Sequence, residues 1–159
     1  MTKFYVVQNT KRTTQHMEKI DKIETTDRKG NVFSFEITEE PLTVGKYEGI
    51  YYNIHEPNYK GWKHFVFKIL FLDNSRILIY MIDNQDIPEL SEKGIVKPMI
   101  EKLRTIHKKN IVSSTNIESL KVDDSEGRVQ NVTQYWARWA IENSKIRYVK
   151  EEDRYYYDY

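Results

Sequence analysis

The chain has 159 residues, and its 25 basic and 24 acidic side chains give a formal net charge of +1. This length suits one domain with a sizeable core. The balanced charge lacks the basic excess that is typical of nucleic-acid-binding proteins. The sequence contains no cysteine, which excludes disulfides, thiolate metal sites and cysteine nucleophiles.

No apolar run approaches the roughly 20 residues that a membrane-spanning helix needs. The apolar run near the N-terminus is too short for the core of a signal peptide. We therefore expect no membrane span. A cytoplasmic location is expected if Met1 is native, and a periplasmic or lipid-anchored one if an export signal has been removed.

The first part of the chain has the composition of β-strands. Residues 3–8 form a short apolar run, and residues 16–37 predict a hairpin with its turn at 27–30. Gly30 can adopt the positive φ that such turns require. In the return arm, apolar residues alternate with polar ones, as in a half-buried strand. The apolar positions are Phe33, Phe35 and Ile37.

The next segment predicts a further strand. Pro41 is expected to end the first hairpin, and residues 43–54 are again strand-like. Gly45 and Gly49 within this segment indicate bulges or points where another backbone approaches closely.

The most apolar segment, 62–83, predicts a central hairpin that turns at Asp73, Asn74 and Ser75. Both of its faces are apolar, so both should be covered. In the first arm, one face carries Phe65, Phe67, Ile69 and Phe71, and the other carries Val66, Leu70 and Leu72 together with Lys68. In the second arm, Ile77, Ile79 and Met81 oppose Leu78, Tyr80 and Ile82. Lys68 either extends to the edge of the sheet or points into a polar interior, which would indicate a ligand site.

One main helix is predicted at 98–109. Pro98 suits the first turn of a helix, and Met99, Leu103 and Ile106 form one apolar stripe. A helix of this length must pack on something to be stable, and a face of the central hairpin is the expected place. Gly94 is expected to separate this helix from a short helical turn at 88–93.

The C-terminal part predicts a meander of short strands. Residues 111–122 are strand-like, and residues 145–150 and 154–159 alternate between turns. Residues 133–141 are compatible with a strand or a helix, and we favour a strand because of the strands that follow. A strand would place Trp136 and Arg138 on the face opposite Tyr135 and Trp139, whereas a helix would place Tyr135, Trp136 and Trp139 on one stripe.

The predicted fold is α+β: mainly an antiparallel β-meander, forming a barrel or a strongly curved sheet, with one main helix at about 98–109. We expect a single domain over 1–159. Its parts are the N-terminal strands 1–40, the central strands and hairpin 43–83, the helical insertion 87–110 and the C-terminal meander 111–159.

Two strand–turn–strand segments and one short motif carry a resemblance. The segments are 67–79 and 136–146, and the motif Gly45-Lys46-Tyr47 lies where lipocalins have a Gly-x-Trp signature. Over about 43–159 the chain resembles lipocalin-like (calycin-type) β-barrel domains, common among small bacterial proteins. The resemblance implies a barrel whose mouth or interior binds a small ligand or a partner.

The polar residues do not form a catalytic motif. The four histidines lack the spacing of metal ligands, which must converge in threes for zinc catalysis. His55 and His64 are the only pair expected to meet, and an enzyme would need a cleft where one of them approaches carboxylates. Phosphate-binding, dinucleotide-binding and serine-nucleophile motifs are absent from the sequence. We expect no catalytic residues, no metal and no cofactor, and the sequence favours a non-enzymatic role.

A cluster of basic residues near the end of the predicted helix is interpreted as a solvated helix face rather than an anion site. Its members are Lys102, Arg104, His107, Lys108 and Lys109. Cations are favoured there because of the helix dipole.

Aromatic residues suggest the function, since Tyr and Trp line both pockets and protein interfaces. The candidate ligand-binding residues are Tyr47, Tyr51, Lys68, Tyr80, Trp136 and Arg138. The first hypothesis is a lipocalin-like domain that sequesters a small apolar or aromatic ligand. The alternative is a protein-binding inhibitor, such as a bacterial or phage immunity or anti-defence protein, acting through an aromatic-rich surface. A pocket requires an open interior, whereas the alternative requires a filled core and exposed aromatic side chains.

Overall fold

The structure is a computed structural model that describes residues 19–85, 88–114, 136–137 and 139–159. Within these residues, eight strands form one sheet. In chain order the strands are β1 (Lys22–Thr26), β2 (Val32–Val44), β3 (Tyr47–His55), β4 (Phe65–Phe71), β5 (Arg76–Asp83), β6 (Asn110–Val112), β7 (Ile146–Val149) and β8 (Arg154–Tyr157). A short helix α1 (Pro88–Ser91) and the main helix α2 (Val96–His107) lie between β5 and β6.

The sheet curls into a half-barrel with the strand order β1-β2-β3-β4-β5-β6-β8-β7. Strands β1 to β5 are consecutive antiparallel neighbours. Strand β6 pairs parallel to β5, because α1 and α2 carry the chain back to the starting end of β5. Strand β8 then pairs antiparallel with both β6 and β7. The predicted α+β architecture, a curved antiparallel sheet with one main helix, is confirmed.

Local side-chain bonds explain the central hairpin. The Asp73 carboxylate accepts hydrogen bonds from the Ser75 backbone N–H and from the Arg76 side chain, both at 2.9 Å. These bonds close a tight turn, because a carboxylate that accepts from the backbone two residues on mimics a turn's own hydrogen bond. Strands β4 and β5 leave this turn as a pair, so the predicted hairpin is confirmed.

The inner face of the sheet, the face on which α2 packs, is continuously apolar. Met99, Ile100 and Leu103 of α2 are fully buried against it. The inner residues of the sheet alternate along each strand and include Phe35, Tyr52, Ile54, Phe67, Ile69, Ile77 and Ile111. The predicted helical stripe and the inner residues of the central hairpin belong to one buried cluster, and the strands that α2 approaches most are β1 and β6.

The outer face carries a second, smaller apolar cluster at one end. Leu70, Leu78, Val112 and Tyr156 are buried there, and Leu42 and Val44 pack against them. Both faces of the central hairpin are thus covered at this end, as predicted. Gly49 of β3 pairs with Leu70 of β4, and a Cβ at Gly49 would overlap the carbonyl oxygen of Ile69. The predicted close approach at Gly49 is confirmed.

Two predictions for the N-terminal strands are wrong. Pro41 does not end its unit but lies within β2, opposite Ile50. The Ile37 N–H points toward β1, where it donates to the Asp21 carbonyl. Strand alternation directs the Pro41 nitrogen to the same side of β2, but Pro41 lies beyond the residues of β2 that pair with β1. Proline is tolerated there because no ladder bond is lost. Gly45 forms the turn between β2 and β3 with a φ of 59°, rather than a bulge inside a strand.

The alternation predicted for the second arm of the central hairpin is also wrong beyond Ile79. The register between β4 and β5 shifts, so that Ile69 pairs with Ile79 but Lys68 pairs with Met81. Tyr80 is the extra residue of this bulge. One inserted residue exchanges the faces of all residues after it, so Ile82, rather than Met81, packs against the inner core.

The segment favoured as a strand at 133–141 is helical where the structure describes it. Residues 136–137 and 139–142 are in helical conformation, and the Asn143 N–H donates to the Trp139 carbonyl at 3.0 Å. Helical spacing brings Trp136 and Trp139 together on one face, with ring centroids 5.4 Å apart, and both are buried in the inner core. The alternative helical stripe was therefore the better interpretation. The first residues of the segment lie outside the described part.

Candidate binding surface

Strand alternation brings Tyr51 and Lys68, two of the predicted site residues, together on the outer face. They are cross-strand partners, and the Lys68 amine lies 4.8 Å from the centroid of the Tyr51 ring. Such a cation–aromatic contact orients both side chains. Tyr80, the bulge residue of β5, is 38% exposed beside them. Lys68 thus lies on the outer face and not in a polar interior.

The other predicted site residues lie elsewhere or outside the described part. Tyr47 is at the far end of the outer face, where it packs against the cluster around Leu70 and Leu78. Trp136 is fully buried on the inner side, so its ring lines neither an open pocket nor an exposed surface. Arg138 lies outside the described residues.

His55 and His64 meet at the other end of the outer face. They are the one pair of histidines that the sequence predicts to meet. His55 is the last residue of β3, and His64 immediately precedes β4, which pairs with β3 from Phe65 onward. Their ring centroids are 5.3 Å apart in an edge-to-face arrangement. The Tyr59 ring lies 5.9 Å from His64 and 6.3 Å from His55. Three aromatic rings therefore close this end of the strands.

The position of Tyr59 depends on the β3–β4 loop. The Tyr59 N–H donates to the Glu56 carbonyl at 3.1 Å, and Asn58 has a φ of 62°. A Cβ on Gly61 would overlap the Tyr59 hydroxyl. The glycine therefore provides the space for the Tyr59 ring, which sequence alternation alone would not reveal.

The surroundings of His64 favour its neutral form. Burial lowers the pKa of His64, and the neighbouring His55 lowers it further, while Glu40 acts in the opposite direction. The His64 backbone N–H donates to the Gln85 side chain at 3.0 Å, and its ring Nδ1 has no hydrogen-bond partner among the described residues. Asn53 donates to the Glu40 carboxylate at 3.2 Å. A neutral imidazole of this kind can accept or donate one hydrogen bond.

The β3–β4 loop ends in an exposed indole. The Trp62 side chain is 80% exposed, and Tyr59 in the same loop is 39% exposed. The Lys63 amine lies 5.3 Å from the centroid of the Trp62 ring. We define the outer patch as this loop and the polar end of the neighbouring strands. Its members are Tyr51, His55, Tyr59, Trp62, His64, Lys68 and Tyr80.

The basic cluster at the end of α2 does not form one surface. Arg104 turns inward, where it contacts the Glu101 carboxylate at 2.6 Å and the Asp158 carbonyl at 3.1 Å. His107 packs edge-to-face on Phe71 with a centroid distance of 5.3 Å. Burial lowers the pKa of His107 to about 4, with a smaller contribution from Lys109. The predicted solvated helix face is therefore wrong for Arg104 and His107, whose side chains are buried or packed on neighbouring groups.

Within the described ranges, no three His, Asp or Glu side chains are grouped so that they could hold one cation. Of the helices in those ranges, none has the length and apolar character needed to cross a membrane. Comparisons with protein-family models, with curated proteins and with solved structures found no match.

Proposed function

We propose that the protein is a non-enzymatic binding module that binds another protein through the outer patch. The observation that supports this proposal is the difference in burial between two sets of aromatic side chains. Tyr52, Trp136 and Trp139 fill the inner side of the sheet together with α2, whereas Tyr59, Trp62 and Tyr80 of the patch are exposed.

The composition of the patch supports protein binding. Aromatic residues are enriched in protein interfaces, and most binding energy comes from a few large side chains such as Trp and Tyr. Trp62 exposes most of its indole, which gives it the largest apolar area to lose on binding. It is the expected anchor residue.

The strands supply a rigid base for the patch. Tyr51, Lys68 and Tyr80 lie on neighbouring strands whose opposite faces are buried in the core. Side chains on a rigid sheet lose little backbone freedom on binding, so less of the contact energy is offset by ordering. This favours a preformed recognition surface.

The charges around Trp62 indicate the partner's chemistry. Lys60 and Lys63 lie close to Trp62 in the sequence, the Lys63 amine lies 5.3 Å from the indole centroid, and Lys68 belongs to the same patch. The Glu56 carboxylate in the same loop is paired with Lys93 at 2.8 Å, which reduces its effect on the local field. A partner surface carrying carboxylates beside an apolar pocket would complement this arrangement.

Native mass spectrometry of the full chain purified from its own host tests the proposal. The expected result is an added protein mass that Trp62→Ala and Tyr80→Ala each weaken about tenfold or more in affinity. Tyr148→Ala is the matched control, since Tyr148 is 47% exposed on β7, far along the sheet from the patch.

Two results would contradict protein binding through the patch. One is a partner that binds both patch variants as tightly as the unmodified chain. The other is a bound small mass in place of a protein, which would favour the first hypothesis from the sequence, sequestration of a small apolar or aromatic ligand. That hypothesis stays a prediction.

A further inference from the structure

Strand β1 presents an open edge in the described part of the structure. It is the first strand in the sheet order and pairs on one side with β2. The Ile37 N–H donates to the Asp21 carbonyl at 2.9 Å, and the Asp27 N–H donates to the Asn31 carbonyl at 3.0 Å. Backbone groups alternate in direction along an antiparallel strand. The N–H and C=O groups of Ile23 and Thr25 therefore face β2, and those of Lys22 and Glu24 point away from it.

A cleft of about 610 Å³ lies between the first two strands and α2, lined by residues of β1, by Ser34, Phe35 and Glu36 of β2, by Pro57 and by one face of α2. Its strand wall includes Lys22 and Glu24, and its helix wall is formed by Pro98, Glu101, Lys102 and Thr105. These four helical positions follow the spacing of one helix face. That face lies next to the buried stripe of Met99 and Leu103, so the core holds it in place beside the strand.

One end of the edge is closed by the loop before α2. Gly94 adopts a φ of 74°, and a Cβ at this position would lie 2.5 Å from the Thr26 carbonyl oxygen. The carbonyl of Thr26 is thus covered by the loop. The open window consists of the backbone groups of Lys22 and Glu24.

We propose that this cleft binds an extended peptide segment of a partner protein, which adds as a strand to the edge of β1. Outward backbone donors and acceptors match an extended backbone, and a groove between a strand edge and a helix is a recurring geometry of strand addition. The strand edge and the helix face of this site belong to β1 and α2, and of the β3–β4 loop only Pro57 lines the cleft, so this inference does not rest on the proposed function.

Charge and shape define the peptide. Lys22 and Glu24 project on the same side of the edge strand, so an acidic residue opposite Lys22 and a basic residue opposite Glu24 would complement them. The residues of the peptide that alternate with these face the helix wall, where Glu101 and Lys102 lie beside Pro98 and Thr105. The recognised segment is extended, with an acidic and a basic residue two positions apart on the side of Lys22 and Glu24.

Amide hydrogen exchange on the full chain without ligand is the first test. The amides of Lys22 and Glu24 should exchange at least about tenfold faster than those of Ile23 and Thr25, because only the latter pair with β2. Protection of Lys22 and Glu24 in the free protein would show that another part of the chain already covers the edge, and would overturn the proposal.

A phage-displayed library of linear peptides of about ten residues supplies the probe for the second test. Peptides selected on the full chain should slow the exchange of the Lys22 and Glu24 amides. Glu24→Pro removes an outward N–H without removing a bond to β2, so it should weaken binding about tenfold or more. Glu24→Ala keeps that N–H and should change binding less than about threefold.

N-methylated peptides test the same bonds without altering the protein. Methylating the peptide amides that face β1 should abolish binding, whereas methylating the alternate amides should leave it within about threefold. The proposal is overturned if the library yields no binder, if the selected peptides protect a different region, or if both methylation patterns have equal effects.

Discussion

The two faces of the curled sheet are covered in different ways. The inner face is apolar along its length and is sealed by α2 and by the buried indoles of Trp136 and Trp139. The outer face is apolar only at one end, around Leu70 and Leu78, and carries exposed aromatic and cationic side chains at the other. The same alternating strands thus supply a continuous core on one side, and both a buried cluster and an exposed aromatic surface on the other.

Strand β5 shows this difference over a few residues. Ile77 and Ile79 face the inner core, and Leu78 joins the outer apolar cluster. Tyr80 then occupies the bulge and is exposed. Bulges re-aim side chains and occur often near functional sites. The irregularity lies where the side chains of the outer face change from buried to exposed.

Replacing a helix residue that seals the inner face should have the largest effect. Leu103 is fully buried in the inner core, so Leu103→Ala should lower the free energy of unfolding by about 3–5 kcal/mol. The neighbouring exposed Lys102 offers the control, since Lys102→Ala should change it by no more than about 0.5 kcal/mol. Urea unfolding followed by circular dichroism measures both. A loss below about 1 kcal/mol for Leu103→Ala would mean that α2 does not seal the sheet.

The outer apolar cluster should tolerate truncation better. Leu70 is 2% exposed but belongs to a smaller cluster, so Leu70→Ala should cost about 2–3 kcal/mol, near the lower end for such changes. The comparison with Leu103→Ala under the same urea conditions is the measurement. An equal or larger loss for Leu70→Ala would show that the two faces contribute alike to stability.

Acid should weaken the inner side through His107. Burial lowers the pKa of His107 from 6.5 to about 4, so below pH 6.5 the unfolded chain binds a proton that the folded chain does not. The contribution of the neutral ring to the free energy of unfolding is therefore fully present above pH 6.5 and is lost as the pH falls from 6.5 to 4. After allowance for partial exposure, we expect a loss of about 2 kcal/mol across this range. His107→Leu should remove that part of the pH dependence. If the free energy of unfolding falls equally in the unmodified chain and in His107→Leu between pH 7 and pH 4, the assignment to His107 is wrong.

Truncating an outer-patch residue should have the smallest effect on folding. Tyr80 is partly exposed in the bulge, so Tyr80→Ala should change the free energy of unfolding by no more than about 0.5 kcal/mol. Thermal unfolding measures this, and it also establishes that the variant used for the binding test is folded. A loss above about 1 kcal/mol would mean that the tyrosine packs rather than recognises a partner.

Periodicity predicted the elements that are held by one clear apolar face. The central hairpin and α2 were found in this way, because burial of alternate strand positions or of a helical stripe leaves a direct pattern in the sequence. At 133–141 two tryptophans fit both periods, and only packing of Trp136 on Trp139 distinguishes them. The bulge at Tyr80 and the place of Pro41 depend on which neighbouring strands are present, which is not a local property.

The candidate surface was predicted in part for the same reason. Alternation placed Tyr51 and Lys68 on neighbouring strands, and the short loop between strands brought His55 to His64. The roles of Tyr59 and Trp62 depend on how the β3–β4 loop folds over Gly61. Loop conformations leave no periodic signal, so the exposure of aromatic side chains on loops is known only from the structure.

The close contact at Gly49 has a consequence for tracing the ancestry of this protein. Since any side chain there would overlap the Ile69 carbonyl, a substitution would push β3 away from β4 and disturb the curl on which α2 rests. Surface residues can diverge freely while this position cannot. We therefore expect remote relatives to retain a glycine opposite the second half of the central hairpin's first strand, even where the exposed aromatic residues differ.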